Sequence, residues 1–301
     1  MLKKVFGNKK ITKIIALAAA IAFTTSVAVA MAKSPAQTAA ENEKENPAPQ
    51  RIISLAPAGT EVLFAVGAGD KVVAVDEYSN YPEEAKALPK IGGFDGKTIS
   101  VEKILSYEPD LLYLTKGMHD FLIPVCEEYG IKYYMSEGLS VDDVKKDIVQ
   151  IGAITGNDKA ASEAVAQLEE AEMRAAAHTK QDVAAPSVYF ETWNSPYMTA
   201  GGNTFISDVI YKAGGYNVFK DLNDWPVVSE ESIIAANPEV ILIQKSAEAF
   251  GVTPESVAAR PGWSDIAAVK NGKVFVVDDD LYSRPAPRIG QAIIELNELI
   301  Q

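Results

Sequence analysis

The stretch ISVEKILSYEPDLLYL, Ile99 to Leu114, is repeated in residue type by a second stretch, VSEESIIAANPEVILI, Val228 to Ile243. The offset between the two copies is constant, since Ser100 matches Ser229 and 229 − 100 = 129. In each copy a serine suited to a helix N-cap precedes apolar residues at helical spacing, and a proline then ends the helix. A short apolar run follows, as is typical of a buried strand. The sequence therefore predicts the same helix-then-strand unit twice.

Each copy lies within a longer alternation of strands and helices. RIISL (51–55) and KVVAVD (71–76) are predicted strands that precede the first copy, and SVYFET (187–192) precedes the second. Repeated strand and helix units of this length are typical of a mostly parallel sheet covered by helices. We therefore predict an α/β protein with two similar parallel-sheet lobes, residues 51–140 and 183–301.

The segment between the predicted lobes, residues 141–182, is rich in strong helix formers. From Asp158 to Lys180 it contains neither glycine nor proline. A helix of this length would span about 35 Å at 1.5 Å per residue. We therefore predict a long, rigid connector helix between the lobes rather than a flexible linker.

The first 32 residues have the pattern of a secretory signal peptide. Five lysines precede the apolar run that starts at Ile14, and Ala-x-Ala cleavage sites follow it near Ala30 and Ala32. The alternative is an uncut anchor, because the uncharged stretch from Ile14 to Ala32 is just long enough to span a bilayer. Residues 33–50 are polar and without apolar periodicity, which predicts a disordered tether.

The charge and the cysteine content limit the possible partners and the compartment. The formal charge is −13, and removal of the five signal-peptide lysines gives −18, so a nucleic-acid partner is not expected. Cys126 is the chain's one cysteine and lies far from the predicted cleavage site. We therefore expect an exported, periplasmic protein without a lipid anchor, which is also expected to be a monomer.

Three motifs resemble a known family when they are taken in order. They are RIISLAPAGTEVLFAVGAGDKVVAVDEYSNYP (51–82), DLNDWPVVSEESIIAANPEVILI (221–243) and SRPAPRIGQAI (283–293). Together they resemble the substrate-binding proteins of ABC importers for cobalamin, ferric siderophores and haem, from about Arg51 to the C-terminus. The resemblance implies a ligand cleft between two lobes, limited hinge closure, and delivery of the ligand to a transmembrane permease dimer.

The resemblance also implies that one glutamate at each lobe tip docks to an arginine pocket of the permease. Glu102 and Glu231 occupy the same place in the repeated stretch, in the predicted first helical turn, where the helix dipole favours a carboxylate. The simpler alternative is that both are ordinary first-turn glutamates without a partner. Glu230, the neighbour of Glu231, is the other candidate in the second copy.

The ligand residues are expected in loops beyond the carboxyl ends of the strands. The spacing of Tyr81, Trp225, Asp280 and Arg284 is most similar to that of the cobalamin-binding members. Further aromatic side chains suited to a large planar ligand lie in the same loops; they are Phe94, Trp193 and Tyr197. The predicted transport ligand is therefore cobalamin or another corrinoid, with a ferric siderophore or haem as the alternative, and no cofactor is expected. Thr115 departs from the pattern, because some relatives have a tryptophan there.

Two arginines flank the stiff sequence Pro-Ala-Pro near the C-terminus. Arg284 is the predicted ligand contact, since a fixed guanidinium binds amides, carboxylates or phosphates in a fork geometry. Asp280 is expected either to bind a ligand amide or to orient Arg284. Arg288 is expected to start the last helix and to hold the loop in place.

The chain has two histidines, which leaves few metal-binding possibilities. His119 follows a predicted strand and is either an axial ligand to cobalt or haem iron, or an exposed loop residue. His178 is predicted to lie on the surface of the connector helix. The motifs of common hydrolases and nucleotide-binding enzymes are absent from the sequence, so a secreted two-lobed enzyme is the distant alternative. A scavenger that binds a ligand without a transporter is a third possibility.

Overall fold

The structure, a computed structural model, describes residues 47–180 and 183–301. Residues Pro49–Gln301 form one compact unit. The predicted signal peptide and most of the predicted tether, through residue 46, lie outside the described residues. Within the described part of the chain, no helix has both the length and the apolar character needed to cross a membrane.

The N-terminal lobe is built on a four-stranded sheet in which each strand runs parallel to its neighbours. The strands are β1 Ile52–Ser54, β2 Val72–Val75, β3 Leu111–Thr115 and β4 Lys132–Ser136, in the order β2-β1-β3-β4. The helices are α1 Pro57–Ala65, α2 Glu83–Lys86, α3 Val101–Ser106 and α4 Ile123–Tyr129. Strands β1 and β3 are buried on both faces, which explains their continuous apolar sequence.

Two packed helices follow β4. They are α5 Val141–Thr155 and α6 Asp158–His178. The chain turns between them at Gly156, whose φ of 75° is a left-handed conformation that glycine adopts at little cost. Helix α6 is the predicted connector; it has 21 residues, which corresponds to about 31 Å. Gly152 permits a close crossing, because a Cβ there would lie 2.4 Å from the Cβ of Ala161.

The C-terminal lobe repeats the architecture of the first, with one antiparallel addition. Its strands are β5 Ser187–Asn194, β6 Tyr197–Thr199, β7 Tyr216–Asn217, β8 Val240–Gln244 and β9 Val274–Val277. Its helices are α7 Phe205–Lys212, α8 Glu230–Ala236, α9 Pro254–Ala258, α10 Ala267–Lys270, α11 Asp279–Tyr282 and α12 Ile289–Ile300. Strands β7, β8 and β9 are in parallel pairings, whereas β6 folds back antiparallel on the end of β5. The predicted fold class, two α/β lobes joined by a connecting helix, is confirmed.

The repeated stretch folds alike in both lobes. Helices α3 and α8 each begin after a serine whose hydroxyl accepts the backbone N–H three residues on. At their ends, Glu108 and Asn237 have φ of 47° and 44°, and a buried proline follows each of them. The next residues, Asp110 and Glu239, accept backbone N–H groups just before β1 and at the start of β5. The two copies are thus equivalent in capping, in backbone conformation and in the way they fix the first strand of each lobe.

One hydrophobic core crosses both lobes. It contains Ile52 and Tyr113 of the N-terminal lobe, Ile148 and Leu168 of the connecting helices, and Ile293 of the C-terminal lobe. Because side chains alternate along a strand, the next residues face two other cores. Ile53 belongs to a core confined to the N-terminal lobe, and Tyr189 to one confined to the C-terminal lobe. The shared core attaches the connecting helices firmly to both sheets.

Candidate functional site

The two predicted docking glutamates lie at matched, exposed positions. Glu102 is the second residue of α3, and Glu231 is the second residue of α8. The backbone N–H of Glu231 and the Ser229 side chain hold the pKa of the Glu231 carboxyl below its ordinary value. Both helices therefore present a solvent-accessible carboxylate in the first turn, where the helix dipole favours negative charge.

Glu230, the neighbouring candidate, is used inside the lobe. Its Oε1 accepts a 2.9 Å hydrogen bond from the indole Nε1 of Trp263, a side chain with 0% exposure. This bond anchors the start of α8 to the core of the C-terminal lobe. Glu231 is the one of the two that remains directed to solvent, which favours Glu231 over Glu230 as the docking residue.

Three of the predicted ligand aromatics are half-exposed, as a contact surface requires. They are Tyr81, Trp193 and Trp225, with 44%, 40% and 47% exposure. Trp193 lies edge-on to the exposed ring of Phe250, with 5.2 Å between centroids, and donates its indole N–H to the carbonyl of Ser195. Trp193 is thus held by its neighbours, and all three rings keep exposed surface for a ligand.

Phe94 and Tyr197 are packed more closely than the other predicted aromatics. Phe94 is part-buried, edge-on to His119 at 5.5 Å. Tyr197 lies 5.7 Å from Trp263, and the guanidinium of Arg260 lies 5.1 Å from its ring centroid. The placement of Tyr197 argues against the predicted ligand contact, since its ring is used inside the C-terminal lobe.

The reason for this difference is the register of the β5–β6 hairpin. The pairing shifts between Glu191 and Trp193, so Trp193 is opposite Met198 and Asn194 is opposite Tyr197. Paired residues share a face of the sheet and successive residues alternate. Trp193 and Tyr197 therefore lie on opposite faces of the hairpin.

His119 is buried between two loops. It has 0% exposure, which corrects the expectation of an exposed loop residue. Its Nδ1 accepts the backbone N–H of Thr115 at 2.9 Å, and its Nε2 lies 3.2 Å from the carbonyl of Phe94. Burial lowers the pKa of the imidazole, so the neutral ring is favoured. Both nitrogens bond to backbone, which argues against a role as axial ligand, and His119 joins two loops.

Arg284 is held by protein acceptors from both lobes. Its guanidinium donates to Asp280 at 2.6 Å, to Asn80 at 2.7 Å, and to the carbonyl of Tyr78 at 3.1 Å. The second oxygen of Asp280 accepts the Asn80 amide at 2.7 Å. Of the two roles expected for Asp280, the geometry favours the orientation of Arg284. A ligand would therefore meet Arg284 already hydrogen-bonded.

Arg288 crosses between the lobes as well, which the sequence did not predict. It precedes α12, as expected, but its Nε and one terminal nitrogen donate to the two oxygens of Glu61, both at 2.7 Å. Its guanidinium lies 3.8 Å from the ring centroid of Tyr81. Hydrogen bonding to Glu61 raises the pKa of Arg288 further. The arginine thus orders a predicted ligand aromatic from the opposite lobe.

Glu61 and Asn80 are the site residues that the sequence analysis missed. Glu61 lies in α1 and its side chain is 2% exposed. The available signal was a single charged residue within the otherwise apolar run of the helix that follows β1. Its partners could not be identified, because they lie 223 and 227 residues further along the chain.

A cavity of about 650 Å³ lies where α1, α6 and α12 meet. Of the predicted ligand residues, Tyr81 lines it, and Arg288 and Glu61 form part of its wall. The apolar side chains of Phe64 and Leu168 also line it. Within residues 47–180 and 183–301, no three His, Cys, Asp or Glu side chains are grouped so as to hold a metal ion.

Comparison with known proteins agrees with this architecture. Residues 52–281 match the family described as periplasmic binding protein. The vitamin B12-binding protein of Vibrio campbellii is 33% identical over 83% of this chain and 88% of that protein. An uncharacterized ABC transporter substrate-binding lipoprotein of Bacillus subtilis, YvrC, is 32% identical over 84% of this chain and 80% of that protein.

A solved structure is similar over nearly its whole length. The periplasmic heme-binding protein RhuT from Roseiflexus, in its apo form, has a TM-score of 0.74 and 28% identity over 83% of this chain and 97% of that one. These relatives are substrate-binding transport proteins, and they differ in the ligand that they are named for. With more than two thirds of its length matched by the family, this chain belongs to the periplasmic binding proteins of ABC importers.

Proposed function

We propose that this protein captures a corrinoid in the cleft between its lobes and delivers it to an ABC importer outside the cytoplasm. The half-exposed aromatics Tyr81, Trp193 and Trp225 are suited to the faces and edges of a large planar ligand. The relatives support a binding protein rather than an enzyme.

The charge balance of the two arginines and their carboxylate partners is the observation that favours a corrinoid. Arg284 and Arg288 are offset by Glu61 and Asp280, so the four groups together carry no net formal charge. A ligand with carboxylate fringes would have to displace Asp280 or Asn80 to reach Arg284. Corrinoid side chains end in amides, which donate and accept hydrogen bonds, and these are compatible with the arrangement as it stands.

Calorimetry with cobinamide, cobalamin and haem tests the ligand. We expect micromolar or tighter binding of a corrinoid, about −8 kcal/mol or stronger. Trp225→Ala should weaken it roughly tenfold or more, as is typical of a contact aromatic. Tyr211→Ala is the matched control, because Tyr211 is exposed on α7 and is not a predicted contact. Absence of heat with either corrinoid, beside clear binding of haem or a ferric siderophore, would overturn the proposal.

Haem is the second candidate, supported by the likeness to the heme-binding RhuT. A tyrosine phenolate is a known axial ligand of haem iron, and Tyr81 is a half-exposed tyrosine at the cavity. The absorption spectrum of protein purified from its native host distinguishes the candidates, since corrinoids, haem and ferric siderophores differ in colour. A Soret band that is lost in Tyr81→Phe would favour haem.

Delivery is proposed to depend on Glu102 and Glu231, which offer one carboxylate from each lobe to two like pockets of the permease dimer. Charge-assisted contacts of this kind lose more on charge reversal than an exposed ion pair does. Glu102→Lys and Glu231→Lys should each weaken docking and leave ligand affinity unchanged, and the double variant should nearly abolish uptake.

The docking experiment has a close control in Glu255. That residue is exposed in the first turn of α9, and its pKa is lowered by its own backbone N–H and by Thr253, as Glu231's is by Ser229. Docking measured in nanodiscs should survive Glu255→Lys. Equal losses for Glu255→Lys and Glu231→Lys would mean that overall negative charge, rather than these two positions, brings the proteins together.

Export is proposed to release the chain without a lipid. Cys126, the one cysteine, is 1% exposed within α4, so its thiol is not available for acylation. The mature protein should begin at Met31 or Lys33. Mass spectrometry of the exported protein checks this, and an intact N-terminus at Met1 would favour the uncut anchor instead.

A further inference from the structure

Two arginines of the C-terminal lobe converge on one buried carboxylate of the N-terminal lobe. Glu61 accepts two 2.7 Å bonds from Arg288 and one of 3.3 Å from Arg284. The three side chains are 2%, 24% and 11% exposed, in that order. Three N–H donors from one lobe therefore meet a desolvated acceptor from the other.

Both sides of this contact are stiff. Glu61 lies in α1, which begins with Pro57 and is pressed against Tyr113 at Gly59. The arginines flank Pro285-Ala286-Pro287, in which the Ala286 N–H bonds to the Arg284 carbonyl at 2.8 Å. Proline fixes φ, so the loop has little freedom to follow a moving partner. Relative motion of the lobes must lengthen these bonds.

Such motion is costly here. A buried carboxylate that loses its charged partners keeps the desolvation penalty without the compensating attraction. A guanidinium fork matches a carboxylate only when the two groups lie in one plane. Movement of the lobes would therefore disturb the angle between Arg288 and Glu61 as well as their distance. The spacing seen in the structure is therefore favoured before any ligand arrives.

We propose that Glu61 is a positioning residue that sets the spacing of the lobes and holds Arg284 and Arg288 at the cleft. Its effect on ligand affinity rests on the proposed function; its effect on lobe spacing does not. Arg288 lies against the Tyr81 ring, and Arg284 donates hydrogen bonds to Asn80 and Asp280. Through the two arginines, Glu61 therefore orders the predicted ligand residues Tyr81, Asp280 and Arg284, although it is not itself a predicted ligand contact.

The connecting helices are also joined to the C-terminal lobe by contacts that do not involve Glu61. Glu172 of α6 binds Lys145 of α5 at 2.8 Å and Lys212 of α7 at 2.7 Å. Asp208 of α7 accepts the Val141 N–H at 2.7 Å. Loss of Glu61 should therefore leave the lobes joined and folded while their spacing becomes variable.

The test is the distance between the lobes in the absence of ligand. Spin labels at Glu128→Cys and Lys270→Cys, both exposed and one in each lobe, report the distance by pulsed electron resonance. Cys126 is 1% exposed and does not compete for the label. The parent should give one narrow distance distribution. Glu61→Gln, which keeps the size and removes the charge, should broaden it or add a second, longer distance.

Two further variants separate positioning from a general loss of folding. Arg288→Lys keeps the charge and loses the fork, so it should broaden the distribution from the other side of the contact. Glu84→Gln, an exposed acid near the same cavity, is the control and should leave the distribution unchanged. Narrow, parent-like distributions in both Glu61→Gln and Arg288→Lys would overturn the proposal.

Ligand affinity supplies a quantitative check with cobinamide as the probe. If only the parent spacing binds, apparent affinity falls in proportion to the fraction of molecules that keep it. A variant that retains that spacing in roughly one tenth of molecules should thus bind about tenfold more weakly. An affinity loss without a change in distance would overturn the positioning role. Absence of cobinamide binding to the parent would instead refute the corrinoid proposal, and the distance measurements would still decide the role of Glu61.

Discussion

The ion pair between Glu191 and Arg260 offers a sharp test of how the C-terminal lobe is held together. Arg260 donates to both oxygens of Glu191, at 2.6 and 2.7 Å, and the side chains are 12% and 2% exposed. The guanidinium also lies 4.5 Å from the ring of Trp263 and 5.1 Å from that of Tyr197. Replacing Arg260 by methionine keeps much of the apolar stem and removes the charge that compensates Glu191.

The expected cost follows from the burial. Removal of one partner of a buried, hydrogen-bonded pair costs about 3–5 kcal/mol, because the remaining charge stays desolvated. Among the described residues, the one further side-chain hydrogen bond to Glu191 is the weak 3.4 Å bond from the Tyr189 hydroxyl, which compensates little. At about 2–4 °C per kcal/mol for a chain of this size, Arg260→Met should lower Tm by about 6–20 °C. Glu191→Met in the same chain should recover most of the loss, since two apolar groups leave no unpaired charge.

Urea unfolding followed by tryptophan fluorescence measures these changes, with Trp263 reporting from within the cluster. Lys220→Met is the control, because Lys220 and Asp221 form an exposed pair whose loss should change stability by less than about 1 kcal/mol. If Arg260→Met costs no more than Lys220→Met, the buried pair does not hold the lobe. A double variant as unstable as Arg260→Met alone would mean that lost packing, rather than the unpaired carboxylate, causes the effect.

Three further predictions concern single positions. A Cβ at Gly59 would lie 2.1 Å from the ring of Tyr113, so Gly59→Ala should destabilise by about 1–3 kcal/mol in thermal unfolding, and Tyr113→Leu in the same chain should relieve part of it. Ser229→Ala removes the cap of α8 and should cost about 1 kcal/mol, measured by urea midpoint. Burial raises the pKa of Asp147, so the native state holds that proton more tightly and the stability contribution falls as pH rises above about 4. The stability of Asp147→Asn relative to the parent should therefore be greater at neutral pH than at about pH 4. A difference in stability that does not change with pH would refute the raised pKa of Asp147.

The repeated stretch could be predicted in detail because its signals are local. Ser100 and Ser229 cap their helices within three residues, and the buried Ile104 and Ile233 follow from helical spacing. The sequence shows that Asp110 and Glu239 occupy matching positions, but it does not predict their hydrogen bonds to the first strand of each lobe. Local backbone preference and apolar periodicity together were sufficient to predict the repeated helix-then-strand unit in both lobes.

Contacts between distant side chains could not be predicted in this way. Glu61 and Arg288 are 227 residues apart, and no local pattern distinguishes one buried acid that pairs across the lobes from another that caps a turn. The face that Tyr197 occupies depends on one shift of register in a hairpin, which no local pattern shows. His119 was misjudged because its burial depends on loops that meet only after the sheet has formed.

The two lobes repeat one architecture, but the core that they share makes them a single unit of folding. The two lobes carry copies of one stretch, and each has its own sheet and its own outer core. Yet residues of both sheets and of helices α5, α6 and α12 belong to one shared core, so neither half has a complete interior of its own. A half-length fragment would expose the apolar side chains that the other half normally covers. The two lobes should therefore melt in a single cooperative transition and should not be exchangeable as independent modules.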